Sequence, residues 1–288
     1  MKVKSAAKIN LMLDILKKLD SGYHSLFMIM QSVGIFDTVT VERSGDKIVI
    51  ECDDEGVPCN GKNIAYKCTE AFFDFCKIDD RAVRIKIEKN IPVAAGTAGG
   101  SADGAAVLYS LNKLYSAGLS QNTLCEIGAG IGADIPFSLT GGTAVALGIG
   151  DIIAPVKPLK DCRIILTKPN QSVSTPAAYS QFDTLTRVRH LDRVGMLDAV
   201  SQGDYKKICA LCGNVFEQAV EVPERPYIKS IMNRFGADAA CMSGSGPTVF
   251  GIFSDDEKAQ KCYETLRKTY NNTYICEPVD KGIIELID

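Results

Sequence analysis

Residues 92–106, PVAAGTAGGSADGAA, set Gly96, Gly99 and Gly100 among alanines directly ahead of an amphipathic stretch. Amides at a helix N-terminus lack intrahelical partners and sit at the positive end of the helix dipole. They bind anionic oxygens where side chains do not block the approach. Ala94, Ala95, Ala98 and Ala102 keep that approach low, Ser101 and Asp103 are residue types that start helices, and the Ser101 hydroxyl is of a kind that reaches a phosphate or its metal ion. Small residues equally suit close helix-to-strand packing, so the loop alone leaves phosphate binding and packing open. Two familiar phosphate motifs are absent: no lysine follows Gly96 as a Walker-type loop requires, and no G-x-G-x-x-G opens the chain with an acidic partner downstream. One C-x-x-C, Cys209 to Cys212, lies in the helical-looking KKICALCGNVF without a second pair or nearby histidines, and reads as core packing rather than a zinc site.

The elements that must position this loop follow from periodicity. Strand-like content covers 3–16, 37–43 and 47–52, with SGDK between the last two as hairpin turn chemistry. A helix is predicted over 62–77, with an apolar stripe through Ile64, Cys68, Phe72 and Phe75. A strand at 82–88 alternates Val83, Ile85 and Ile87 with charged residues. The helix after the loop, 101–115, carries Val107, Leu108, Leu111, Leu114 and Tyr115 as a single buried stripe. PVKPLK at 155–160 marks a boundary, giving domains 1–157 and 158–288. The second half reads as strand 163–167, a helix-rich middle, helix 224–235, strands 237–242 and 247–253, helix 255–269 and strand 273–277. That order suggests a ferredoxin-like layer, and the chain as a whole an α+β fold of two domains. The polar stretch 183–193 is either a loop over the substrate or a surface segment, and His190 within it reads as solvated.

Composition narrows the class. With 288 residues, 46% hydrophobic and 23% charged, the chain reads as an ordinary globular protein large enough for two cores. No apolar run is long enough to span a bilayer and no cleavage site follows the N-terminus, so a cytoplasmic location is expected. Eleven scattered cysteines look like reduced, buried hydrophobes. A net charge of -3 without a basic run leaves no footprint for nucleic acid and points to small-molecule partners. Oligomeric state, monomer or homodimer, stays open.

Three segments, SAAKINLMLDI, PVAAGTAGGSADGAA and CMSGSGPTVFGIF, together resemble the galactokinase, homoserine kinase, mevalonate kinase and phosphomevalonate kinase superfamily. AKINL, GYHSL at 22–26, GADIPF at 132–137 and MSGSG at 242–246 look like the family within it that phosphorylates 4-diphosphocytidyl-2-C-methyl-D-erythritol. The similarity runs nearly the whole length, with the motifs in the family's order. It implies an N-terminal domain like the second domain of ribosomal protein S5, a ferredoxin-like C-terminal domain, an active site in the cleft between, and ATP with Mg²⁺ as the phosphoryl donor. By the same resemblance Asp134 is the catalytic aspartate and Lys8 its partner. Pro92, Val93, Ala94, Ala95, Gly96, Thr97, Ala98, Gly99, Gly100, Ser101 and Ala102 form the ATP loop, with Asn63 and Lys89 near the adenine and Ser243 and Gly244 supporting the loop. Asn10 binds the substrate near Lys8 and Thr175 lies in the substrate site. Tyr23 and His24 match a cytosine-binding pair, and Tyr179 is an aromatic that stacks the base's other face.

The loop departs from the family's usual G-L-G/A-G-G-S-S-D-A-A at Thr97, Ala102 and Gly104. Loss of a hydroxyl at Ala102 implies weaker nucleotide or metal contacts, and Gly104 costs the helix up to about 1 kcal/mol. Two rivals stand beside the main reading. One is another small-molecule kinase of the superfamily, such as a homoserine or mevalonate kinase, which would have no use for GYH. The other is a nucleotide-binding regulator that has lost the chemistry, against which Lys8 and Asp134 argue.

Overall fold

The computed structural model describes residues 1–286. The first half runs β1 (Lys2–Lys18), β2 (His24–Arg43), β3 (Ile48–Cys52), α1 (Ile64–Cys76), β4 (Val83–Glu88), α2 (Gly99–Leu114), α3 (Gln121–Ala129), α4 (Ile135–Thr140), β5 (Thr143–Leu147) and β6 (Ile152–Pro155). The second runs β7 (Arg163–Thr167), α5 (Thr175–Phe182), α6 (Arg193–Gln202), α7 (Tyr205–Leu211), β8 (Gly213–Asn214), α8 (Arg225–Arg234), β9 (Ala239–Met242), β10 (Val249–Phe253), α9 (Asp256–Arg267), β11 (Thr273–Cys276) and β12 (Ile283–Glu285).

A long β1–β2 hairpin forms the spine of the first sheet, ordered β12-β1-β2-β4-β3, with β5 on β2 and β8 beside β1. Bulges at Ala6/Ala7, Asn10/Met12 and Ile15/Lys17 bend the hairpin. The strand period of two puts Lys8 and Asn10 on one face. β2 begins well before the predicted 37–43. Residues 26–36, LFMIMQSVGIF, are nearly all buried, so this strand is covered on both faces and shows no alternation to read. The predicted hairpin of 37–43 with 47–52 is not formed. β3 pairs in parallel with β4, which lies between it and β2, and α1 makes the crossover. Helices α1 and α2 cover this part of the sheet, sealing Phe72, Phe73, Val107, Leu108 and Leu111 against Val39, Val41, Ile85 and Ile87. Each such side chain contributes about 1.5–3 kcal/mol through burial.

The second sheet is antiparallel, ordered β11-β7-β10-β9. With α8 before β9 and α9 before β11, this is the ferredoxin-like β-α-β-β-α-β order expected from the sequence. Ile228, Ile231, Met232, Ala259, Cys262 and Leu266 of its helices pack on Ile165, Val249 and Phe253. The chain crosses back between the layers: β8 pairs with Met12 and Leu13, and β12 with Val3 to Ser5. All eleven cysteines are free thiols, and Cys209 sits in the core with Cys212 packed against it. No helix among the described residues is long and apolar enough to cross a membrane.

Candidate active site

The glycine-rich loop connects β4 to α2 and lies against two other segments. Ser243 Oγ donates to the carbonyl of Gly96 at 3.0 Å, and the amide of Lys8 donates to the carbonyl of Thr97 at 3.1 Å. Gly96 is in the left-handed region at φ +75°, and a Cβ there would come within 2.3 Å of the Ser243 carbonyl oxygen, so backbone packs directly on backbone. Asn10 completes the junction. Its Oδ1 accepts from Lys8 Nζ at 2.8 Å and from the amide of Gly244 at 3.0 Å. The three segments that carried the resemblance thus meet at one point.

α2 begins at Gly99, two residues earlier than the sequence suggested, after Ala98 in the left-handed conformation. Its first internal hydrogen bond runs from the amide of Ala102 to the carbonyl of Ala98 at 2.9 Å. The amides of Gly99, Gly100 and Ser101 are therefore the unpaired ones at the helix start, and these residues line a cleft of about 640 Å³. Lys8 and Asp134 line the same cleft, with Lys8 Nζ 3.9 Å from Asp134 Oδ2. Asp134 occupies the N-cap position of α4 but makes no capping hydrogen bond, so its carboxylate, 34% exposed, is left to face Lys8 and the cleft. The Lys8 side chain is 6% exposed. An ammonium held by Asn10 beside a carboxylate with no other side-chain partner among the described residues is an arrangement suited to a general base beside a compensating charge.

A second ionic cluster lies beneath the loop. Lys89 Nζ donates to Asp37 Oδ2 and, at 2.7 Å, to Asp103 Oδ2, and the three side chains are 5%, 0% and 3% exposed. Asp37 Oδ1 also accepts from the amides of Asn90 (2.6 Å) and Ile91 (2.8 Å). Asp103 Oδ1 is buried without a partner. Burial pushes the Asp103 carboxyl up, against the pull of Lys89; burial pulls the Lys89 ammonium down, but the two carboxylates together outweigh it and hold Lys89 above its ordinary range. Lys89 was expected near an adenine. Its ammonium is engaged by two carboxylates and lies 3.3 Å from where a Cβ on Gly99 would be. Neither Asp37 nor Asp103 was singled out as its partner, since a buried charge has no distinctive spacing in sequence.

Part of the cleft lining is aromatic. Tyr23, 62% exposed, Tyr179 and Phe216 line it, with Leu13, Leu26 and Met28. Tyr179 meets Phe216 edge-on, ring centroids 5.0 Å apart, and stacks on His24 at 4.6 Å with an interplanar angle of 15°. Burial raises the Tyr179 phenol, and the charge of Asp134 adds to it, so the hydroxyl stays protonated near Lys8 and Asp134. His24 Nε2 lies 2.7 Å from Asp183 Oδ1.

Of the expected residues, Lys8, Asn10, Tyr23, Asn63, Lys89, Pro92, Val93, Ala94, Ala95, Gly96, Ala98, Gly99, Gly100, Ser101, Asp134, Thr175, Tyr179 and Gly244 line this one cleft. Asn63 also caps α1, accepting from the amide of Ala65 at 2.8 Å. Thr175 shares a 3.0 Å hydroxyl contact with Ser245. Four residues are placed otherwise. Thr97 is buried and its hydroxyl turns back to the carbonyl of Pro92. Ala102 is fully buried with its amide spent in the helix, so having alanine rather than serine at this position does not deprive the cleft of a hydroxyl. Ser243 acts through the loop backbone rather than in the cleft. His24 covers a face of Tyr179, so the expected sandwich of a base between Tyr23 and Tyr179 is not open on that face. His190, read as solvated, has Nδ1 2.9 Å from Asp14 Oδ1, and Arg193 reaches the same fully buried carboxylate, pinning 183–193 to β1. Phe216 was missed, because one phenylalanine in an apolar run carries no site signal.

The pattern of the GHMP kinases N terminal domain matches residues 63–142, and that of GHMP kinases C terminal matches 196–272. With the two-layer fold and the loop–Lys8–Asp134 geometry, they define the class: an ATP-dependent small-molecule kinase of the GHMP type. A 4-diphosphocytidyl-2-C-methyl-D-erythritol kinase of Clostridium acetobutylicum is 40% identical over 97% of this chain and 100% of its own length. One from Geobacillus sp. (strain WCH70) is 44% identical over 92% of each. The chain belongs to this family, the 4-diphosphocytidyl-2-C-methyl-D-erythritol kinases. A solved 4-(cytidine 5'-diphospho)-2C-methyl-D-erythritol kinase superposes with TM-score 0.81 at 28% identity, covering 96% of this chain and 99% of that one. Homoserine kinase from Cytophaga hutchinsonii, 18% identical with TM-score 0.78 over 99% of this chain and 96% of its own, shares the fold.

Proposed function

We propose that this chain transfers the γ-phosphoryl group of ATP to the 2-hydroxyl of 4-diphosphocytidyl-2-C-methyl-D-erythritol. The observation that carries the reading is the single cleft in which the free amides of α2, the Lys8–Asp134 pair and the Tyr23–Tyr179–Phe216 wall lie in that order of function: phosphate, chemistry, substrate. Asp134 accepts the hydroxyl proton as the oxygen attacks the γ-phosphorus and the bond to the β-phosphate bridge breaks, releasing ADP. Lys8 offsets the negative charge that grows on the attacking oxygen. The amides of Gly99, Gly100 and Ser101 hold the phosphates.

The donor set fits Mg²⁺ carried by the nucleotide. Among the described residues there is no cluster of three or more metal-ligating side chains, while the Ser101 hydroxyl stands at the phosphate-binding end of α2. Ser101 would hold such an ion together with the nucleotide's own oxygens, and the ion would supply charge neutralisation of the phosphates.

The test offers purified protein Mg-ATP with the cytidine diphosphate substrate, homoserine or mevalonate, and measures ADP release. Turnover is expected with the cytidine substrate alone. Turnover with homoserine or mevalonate instead would replace this reading with the corresponding relative's activity.

A further inference from the structure

Asn214, at the end of β8, is buried and does not line the cleft. Its Nδ2 donates to the carbonyls of Met242 and Gly244, both at 2.8 Å, and its Oδ1 accepts from the amide of Phe216 at 3.0 Å. A side-chain amide has two N–H donors, so both are used and the partners fix its orientation. The two carbonyls bracket the stretch that carries the N–H of Gly244. That N–H donates to Asn10 Oδ1, the same oxygen that accepts from Lys8 Nζ. Three residues after Asn214, Glu217 Oε1 accepts from the amide of Met242 at 2.8 Å, and Lys229 Nζ lies 2.9 Å from the other Glu217 carboxylate oxygen. Segment 213–217 reaches this position because β8 pairs with Met12 and Leu13 of β1. It therefore grips the turn that anchors Asn10.

We propose that Asn214 is a positioning residue for phosphoryl transfer: by clamping the Met242 and Gly244 carbonyls it aims the Gly244 N–H at Asn10, and Asn10 thereby holds the Lys8 ammonium beside Asp134. The inference rests on the role proposed above for Lys8. Gly244 sits in the left-handed region at φ +57°, where a glycine has little of its own to fix its peptide planes, so the restraint has to come from outside the turn. Without Asn214 both carbonyls lose this donor and the turn is free to rotate toward another. A shift of about 1 Å passed on to Lys8 is enough to slow the chemical step by about 10². Ser243 keeps its own amide bond to the Thr248 carbonyl at 2.9 Å, so the contact of this turn with the phosphate loop is retained. The effect therefore falls on the chemistry rather than on nucleotide binding.

The experiment has an exchange arm and a kinetic arm, both on the full chain. In Asn214→Ala, hydrogen exchange of the Gly244 amide should quicken by about tenfold relative to the amides of β10, a local change that a uniform loss of stability would not produce. In steady state with Mg-ATP and the cytidine substrate, the same variant should lower kcat by about ten- to a hundredfold while KM for ATP stays within about threefold. Asn10→Ala should lower kcat at least as far. Adding Asn214→Ala to it should slow the enzyme by less than about a further threefold, because the clamp acts through Asn10. Asn214→Asp keeps the acceptor for Phe216 and loses the paired N–H donors. It should match Asn214→Ala, and it carries both arms where the alanine variant does not fold. Losses that multiply in the double variant would overturn the proposal, as would a Gly244 amide that exchanges in step with β10. Wild-type kcat in Asn214→Asp would overturn it too, since the residue would then serve Phe216 alone. A wild-type chain inactive on the cytidine substrate would sink the proposed function instead, leaving the exchange arm to decide the clamp.

Discussion

Two lysines lie under the glycine-rich loop, each beside aspartate, and their surroundings give them opposite work. Lys8 meets Asp134 at 3.9 Å across the edge of an open cleft, and the Asp134 carboxylate has no other side-chain partner among the described residues. Lys89 is gripped by Asp37 and Asp103 in a pocket where no member is more than 5% exposed. Tight pairing and burial make the second cluster a fixture that ties β2 and α2 to the chain entering the loop. Loose pairing and partial exposure leave the first carboxylate free to take a proton. Availability, rather than strength of pairing, separates the pair proposed to react from the buried one.

The largest effect that would break this contrast is on turnover. Asp134→Asn removes the proton acceptor and should lower kcat by about 10²–10⁴. The affinity for ATP, measured by calorimetry, should stay within a few-fold, because the proposed phosphate contacts are the α2 amides and not Asp134. A weak loss of turnover would move the base elsewhere. Lys89→Met should act on the fold instead. Removing one partner of a buried ionic cluster typically costs about 3–5 kcal/mol, since it leaves uncompensated charge, and denaturant unfolding would read it. The pH dependence follows from burial, which already raises the Asp103 carboxyl. Without Lys89 the folded state holds a proton there more tightly than the unfolded chain does. Stability of the variant should thus fall as pH rises and recover as it drops toward the carboxylate range. A Lys89→Met protein as stable as wild type at pH 8 would show that the cluster is not a fixture.

The sequence carried the reactive half of this comparison better than the structural half. The loop was legible only as a run of small residues suited to either phosphate binding or close packing, with the resemblance choosing between them, and the ferredoxin-like order is legible because its strands and helices alternate cleanly. Lys8 and Asp134 became legible only through the resemblance, since alone each reads as a solvated charge or a cap. Asp37 was not legible at all, and Asp103, read as a helix-starting residue, instead lies beyond the first turn of α2, buried against Lys89. What unites them with Lys89 is the placement of β4 between β2 and β3, and the apparent hairpin at SGDK pointed away from that topology. The unalternating 26–36 run hid most of β2, and with it the surface on which the cleft is built. His24 reads as a base-binding side chain because the motif preserves its identity, while its position behind Tyr179 depends on where α5 docks.

The smallest effect tests why this loop tolerates Gly104 where its family usually has alanine. A Cβ at 104 would lie 2.8 Å from both Cys68 Sγ and Ile64 Cγ2, side chains one turn apart on the face of α1 that packs on α2. The glycine costs α2 up to about 1 kcal/mol of helix propensity, but it lets α1 approach closely enough to fill the space with sulfur and a branched methyl. Gly104→Ala alone should therefore destabilise by about 1–2 kcal/mol despite the better helix former, because overpacking exceeds the propensity gain. In a Cys68→Ala background the sulfur is gone, and the same substitution should cost less, with a coupling of at least about 0.5 kcal/mol in a double-mutant cycle. Such coupling would make Gly104 and Cys68 one packing solution under the phosphate loop. Additive costs would mean that α1 shifts as a body to admit the methyl, and that the loop's footing is softer than the sealed Lys89 cluster beside it.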